Sequence, residues 1–119
     1  MPTFQLDEPV ARYIDHTLLS AEATLTDLTR HCGEARKYNF KTVCINPWFI
    51  TEALKLLRGS ATEVITVIGF PLGANTSEQK AHEAAQAIDL GAKEIDMVLN
   101  LGALIFYFDC LQMLLSRMV

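Results

Sequence analysis

The sequence predicts an α/β chain built on a parallel sheet. Three observations carry this reading. Strand-like and helix-like stretches alternate, the strand-like runs are apolar on both faces, and helix-start and helix-stop residues separate them. The order is β-α-β-α-β-α-β, with no fixed-period repeat, no low-complexity linker and no domain boundary inside it.

Each element has a local reason. "RYIDHTLL" opens the chain's structure as an extended apolar piece. Leu25, Leu28, Cys32 and Ala35 then recur at helical spacing, and Thr24-x-x-Asp27 is a capping-box start for that helix. "FKTVCIN" is a short β-rich run between polar residues. Asn46 is placed to cap the next helix, and Pro47 suits a first position where no N–H is needed. Gly59 ends that helix, and Ile50, Ala53, Leu54 and Leu57 form its inner face. "EVITVIGF" is a third strand, stopped by Pro71 and Gly73. The helix after it directs Ala81, Ala84, Ala85 and Ile88 inward and ends at Gly91. "GAKEIDMVLN" completes the series as a fourth, buried strand. Asp96 lies inside that run, where an uncompensated carboxylate would cost several kcal/mol.

Bulk properties narrow the function classes. The 119 residues suit one domain at most, and a net charge of −4 with no basic cluster argues against nucleic acid. The amino terminus lacks the basic start and apolar core of a secretory signal. Cys32, Cys44 and Cys110 form no CxxC pair and no ligand spacing with His16, His31 or His82, so no metal is expected. The histidines have no evident acid partner in the sequence and read as solvated or packing residues. Free thiols suit a reducing compartment, which places the protein in the cytoplasm.

Side-chain parity sharpens the picture. Asp15 with Thr17, Cys44 with Asn46, and Asp96 with Asn100 each share a face of their strands. Ile14, Val43, Ile45, Ile95, Met97 and Leu99 face the other way. Polar groups are thus expected on one face near the strands' carboxyl ends. Active sites are built there both in (β/α)₈ barrels and in open doubly wound sheets, and the strand pattern alone does not separate the two.

"YIDHTLL", "KTVCINP", "TVIGFPLGANT" with the following Lys80, and "GAKEIDMVLNLGAL" stand in unbroken order over residues 12 to 104. Together these motifs resemble the deoxyribose-phosphate aldolases. The resemblance implies the N-terminal half of a TIM (β/α)₈ barrel, about four β-α units with parallel strands. It also implies cleavage of 2-deoxy-D-ribose 5-phosphate to glyceraldehyde 3-phosphate and acetaldehyde through a lysine Schiff base. No metal or organic cofactor is implied. By the resemblance Asp96 is the family's proton-shuttling carboxylate and Asp15 stands in its proton-relay surroundings, while Thr17, Cys44 and Phe70 are placed to line the substrate pocket. The Schiff-base lysine, a second lysine and the phosphate loop lie on later strands in that family. None of Lys37, Lys41, Lys55, Lys80 and Lys93 matches the Schiff-base motif.

Blander readings stand beside these. Asp96 could be a structural carboxylate, Asp15 and Thr17 an end-of-strand turn, Cys44 an inert buried thiol, and "GFPLGAN" a plain turn without a phosphate fingerprint. The resemblance stops after Leu104, which divides the chain into 1–104 and an apolar tail, 105–119, suggestive of a truncated or frame-altered product. The tail is too short to span a bilayer and contains Asp109 and Gln112, so no membrane partner is expected. A half-barrel with such a tail is expected to be inactive alone, and to form a homo-oligomer or an aggregate; the alternative reading is a non-catalytic half-barrel that self-associates or pairs with a complementary half. Its expected ligand is a phosphorylated sugar.

Overall fold

The structure, a computed structural model, describes residues 6–116, and the side chains of residues 6–108. After a short 3₁₀ turn, Val10–Tyr13, the elements are β1 (Asp15–Leu18), α1 (Leu25–Tyr38), β2 (Thr42–Ile45) and α2 (Ile50–Leu56). They continue with β3 (Glu63–Ile68), α3 (Ser77–Asp89), β4 (Glu94–Met97) and α4 (Leu101–Ser116). The four strands form one parallel sheet in the order β1-β2-β3-β4.

This order decides between the two architectures left open by the strand pattern. A doubly wound sheet reverses its strand order and carries helices on both faces. Here each strand pairs with the next in sequence. The helix-side residues Val43, Ile45, Val64 and Ile68 join Leu28, Cys32, Ile50, Ala53 and Ala87 in one core. The sheet's other face carries only a small apolar cluster, Cys44, Ile65 and Val67, with Leu19 against it. Helices on one face of a sequentially ordered parallel sheet give the arrangement of half a (β/α)₈ barrel.

The helices begin as their sequences require. Thr24 caps α1 in a reciprocal capping box with Asp27, as the sequence predicts, and Thr76 with Gln79 repeats the device at α3. Asn46 is a correction. Its side chain makes no cap, and its amide instead donates to the Ser20 carbonyl at 3.4 Å. The chain passes through a 3₁₀ turn, Pro47–Phe49, before α2 starts.

Burial falls away from the middle of the sheet. Every residue of β2 is buried, as are the last five of β3, whereas β1 and β4 have none. The expectation of a buried fourth strand is therefore wrong: β4 is an edge, Met97 is 62% exposed, and Ile95 and Leu99 are also exposed. Ile14 is likewise exposed, ahead of a β1 shorter than "RYIDHTLL" suggests. Leu25, expected inward on α1, is exposed, while Leu28, Cys32 and Ala35 are buried as predicted.

On α3 the inward stripe is Lys80, Ala84 and Ala87 rather than Ala81, Ala84, Ala85 and Ile88. Lys80 causes this rotation. Its stem lies against Gly69 and its ammonium donates to the Val98 carbonyl at 2.7 Å, burying a side chain normally left in water.

The loop between β3 and α3 is tightly determined. The Gly69 N–H donates to Glu83 at 2.8 Å, and the Gly73 N–H donates to the Gly69 carbonyl at 2.7 Å. Gly73 has φ +66° and sits against the Leu99 carbonyl and the Val98 side chain, leaving no room for a Cβ. Gly73→Ala is expected to destabilise the protein by more than about 1 kcal/mol, since it combines a left-handed backbone with a backbone clash. Urea unfolding followed by circular dichroism measures it.

Candidate functional site

The register sets the site. Thr17, Cys44, Ile65 and Glu94 form one row across the sheet, and Val67 and Asp96 form the next row toward the carboxyl ends. Aligned residues of parallel strands share a face, so Thr17, Cys44, Val67 and Asp96 project from the wall opposite the helices. An open cleft of about 440 Å³ lies on that wall, lined by Thr17, Leu19, Cys44, Val67, Phe70 and Asp96, with Met97 and Val98 at its rim. This is within the usual size range of small-molecule sites.

Four of the five predicted site residues thus come together. Asp15 does not line the cleft. It is the first residue of β1, a full row deeper, and its carboxylate accepts the Thr42 hydroxyl at 2.7 Å. The Thr17 hydroxyl donates to the Asp15 carbonyl at 2.9 Å, which joins the two rows. Asn46 and Asn100, predicted on the polar face, are outside the cleft. Asn46 bonds Ser20 O, and the Asn100 side chain accepts from the Ala103 N–H at 3.0 Å at the start of α4.

Asp96 corrects another expectation. It is exposed, and among the described residues it makes no hydrogen bond or ion pair. Water solvates the carboxylate because β4 has no neighbour beyond it, so no buried cation is needed in this chain. No lysine lines the cleft. Lys41 faces Glu94 at 3.8 Å, Lys55 pairs with Glu52, Lys37 lies over the Tyr38 ring, and Lys80 bonds Val98.

Cys44 is a neutral thiol. Burial pushes it up to about 11, and the charges of Asp96 and Asp15 push the same way against a hydrogen bond with Thr17. It shapes the wall and offers no nucleophile near neutral pH. Cys32, in the core, is raised to about 11 by burial alone.

Sequence reading missed a second cluster. His16 points to the helix side and meets Glu34 of α1 at 2.9 Å, correcting the view that the histidines have no acid partner. Its ring stacks on His31 with centroids 3.7 Å apart and planes 8° from parallel, and His31 Nε2 donates to the His16 carbonyl at 2.9 Å. Among the described residues these three are the group whose donor atoms lie close enough to consider a metal. Parallel stacked imidazoles direct their in-plane lone pairs along separate planes, so the donors do not converge. The cluster ties β1 to α1. The opposite parity of His16 from Asp15 and Thr17 was the available signal, but pairing with a helix residue 18 positions away is a tertiary fact.

Comparison with known proteins agrees with the motif reading. No family model matches the chain. The chain is 52% identical over 99 residues to a deoxyribose-phosphate aldolase of Geobacillus sp. (strain WCH70), covering 83% of this chain and 44% of that protein. A deoxyribose-phosphate aldolase of Carboxydothermus hydrogenoformans is 54% identical over 95 residues, covering 80% of this chain and 42% of that one. Among solved structures, the tetrameric deoxyribose phosphate aldolase from Aeropyrum pernix superposes with a TM-score of 0.71 at 35% identity. That match covers 78% of this chain and 39% of the other. An aldolase called QR15 gives a TM-score of 0.77 at 32% identity, over 82% and 43% of the two chains. The chain therefore spans less than half the length of the relatives it matches.

The histidine cluster predicts a pH dependence. Burial holds His31 below its usual 6.5, helped by the His16 and Arg30 charges and opposed by its bond to the His16 carbonyl and by Glu34. The unfolded chain then binds a proton there more readily than the folded one, so stability falls as pH drops below about 6.5. His31→Gln should flatten that fall in urea midpoints measured between pH 5 and pH 8.

Proposed function

We propose that this chain forms the first half of a deoxyribose-phosphate aldolase active site, with Asp96 as its acid–base carboxylate. The observation that carries this reading is the joint placement of Thr17, Cys44, Phe70 and Asp96 on one cleft wall, in a chain about half identical to aldolases of that name.

The chemistry assigned to this wall is proton handling. A carboxylate at the carboxyl end of a barrel strand can take a proton from an amine attacking the sugar carbonyl. It can return that proton to the carbinolamine hydroxyl, which leaves as water. Carbon–carbon cleavage then draws electrons into the iminium so formed. Asp96 is exposed in this chain. Facing strands would dehydrate it, and a lysine cation on those strands would compensate the charge. Phe70 forms an apolar side of the cleft for the sugar's carbon chain, Thr17 offers a hydroxyl, and Cys44 fills space as a neutral thiol. Asp15 acts behind them, holding β1 to β2 through Thr42.

The rest of the reading follows from the same residues. The ligand is a phosphorylated sugar, and the net charge of −4 offers no nucleic-acid surface. No helix of the described residues is long and apolar enough to cross a membrane. Two buried free thiols suit the reducing cytoplasm. The aldolase-like part is residues 1–104. The tail, 105–119, departs from it, although helix α4 runs unbroken across that division.

Because no lysine lines the cleft, the isolated chain is expected to show no cleavage of 2-deoxy-D-ribose 5-phosphate, as measured by acetaldehyde release. Fusing residues 1–104 to the later half of the Geobacillus aldolase should give an active enzyme. In that fusion Asp96→Asn should lower turnover by about 10²–10⁴-fold while leaving the circular dichroism unchanged. Near-normal turnover would reduce Asp96 to a structural residue.

A further inference from the structure

We propose that Lys80 is a positioning residue for the cleft. From α3 its ammonium fixes the carboxyl end of β4, and with it the place of Asp96 relative to Phe70. The proposal rests on the reading of Asp96 as the acid–base carboxylate.

Lys80 is 7% exposed, and among the described residues it is in no ion pair. An ammonium is strongly hydrated, so burying one without a carboxylate beside it is costly. An apolar side chain of similar length would fill the same space without that penalty. What the ammonium adds is a directed bond, donated to the Val98 carbonyl at 2.7 Å from a residue 18 positions away. The Val98 N–H donates in turn to the Ile68 carbonyl at 2.9 Å. Both backbone polar groups of Val98 are therefore engaged, one by the end of β3 and one by α3. Val98 directly follows β4, and Asp96 lies two residues before it.

The same turn of α3 holds the other side of the cleft. Glu83, three residues after Lys80, accepts the Gly69 N–H at 2.8 Å. A Cβ on Gly69 would meet the Lys80 Cε at 3.0 Å, so the glycine makes room for the stem on its way to Val98. Phe70 is the next residue and lines the cleft. Gly73 bonds back to the Gly69 carbonyl and packs on the Leu99 carbonyl. One helical turn thus ties the exit of β3 to the exit of β4, with Phe70 and Asp96 beside those exits. Without the ammonium both segments keep their folds but lose their fixed spacing. A catalytic group displaced by about 1 Å can lose on the order of 10²-fold in rate.

The test uses Lys80→Met, which keeps the stem and removes the donor, in the fusion of residues 1–104 with the later half of the Geobacillus aldolase. Turnover and kcat/KM should fall together by about 10- to 100-fold, with circular dichroism unchanged. Because Lys80 acts through Asp96, adding Lys80→Met to Asp96→Asn should lower turnover by no more than about twofold further. In the 119-residue chain, where no turnover is needed, Lys80→Met should speed amide exchange at Val98 and Gly73 by about tenfold relative to the amides of β2. Full turnover in Lys80→Met beside an impaired Asp96→Asn would overturn this proposal and leave the acid–base reading standing. Normal turnover in Asp96→Asn would overturn both. Losses that multiply in the double variant would make Lys80 a general structural residue, and unchanged exchange at Val98 would remove the clamp itself. Either result overturns the proposal, and in a fusion without turnover the exchange measurement decides alone.

Discussion

A parallel strand has two hydrogen-bonding edges and two faces, and most of this structure follows from how few of them are covered. β2 and β3 have a strand on each side and helices on one face, and they are the buried strands. β1 and β4 have a neighbour on one side only, and they are exposed. The core accordingly lies between the middle of the sheet and α1 and α2, with Val43, Ile45, Ile50 and Leu28 fully buried. The weaker end is the β4 edge, where Lys80, Gly73 and the Val98–Leu99 backbone hold the strand to the preceding loop.

The same constraint governs the cleft's electrostatics. Cys44 lies mid-sheet and loses water, so its thiol stays protonated, and two nearby aspartates reinforce that state. Asp96 lies one row further on and one strand from the middle, and water solvates it. One wall therefore holds a desolvated neutral thiol beside a solvated carboxylate. Facing strands would take water away from that carboxylate. The carboxylate's position is fixed by the register of β3 and β4.

Much of this was legible in the sequence wherever the information is local. The Thr24–Asp27 capping box, Pro47 at a first helical position, and the strands through Val43 and Val64 follow from residue chemistry over a few positions. Parity placed Thr17, Cys44 and Asp96 on one face, as the register has it. Parity could not give depth, so Asp15 was grouped with the cleft although it begins its strand. The burial assigned to β4 failed for a related reason: an apolar run reports what a strand is suited to, not whether a neighbour is there to cover it. Val67, read from the sequence as a helix-side residue beside Val43, instead shares the inner face with Cys44. The inward stripe of α3 turned on a lysine whose stem packs like an apolar residue. The pairing of His16 with Glu34 and His31 joins a strand to a helix, which no local pattern encodes.

The central claim is that this wall is one half of a Schiff-base site whose lysine comes from facing strands. The direct measurement is to mix the chain with the separately produced later half of the Geobacillus aldolase, add acetaldehyde and borohydride, and locate adducts by mass spectrometry. The account predicts one adduct, on a lysine of the added half, in the mixture only, and much weaker trapping with Asp96→Asn. A specific adduct on a lysine of this chain alone, or a mixture that co-sediments as a complex yet traps nothing, would contradict it.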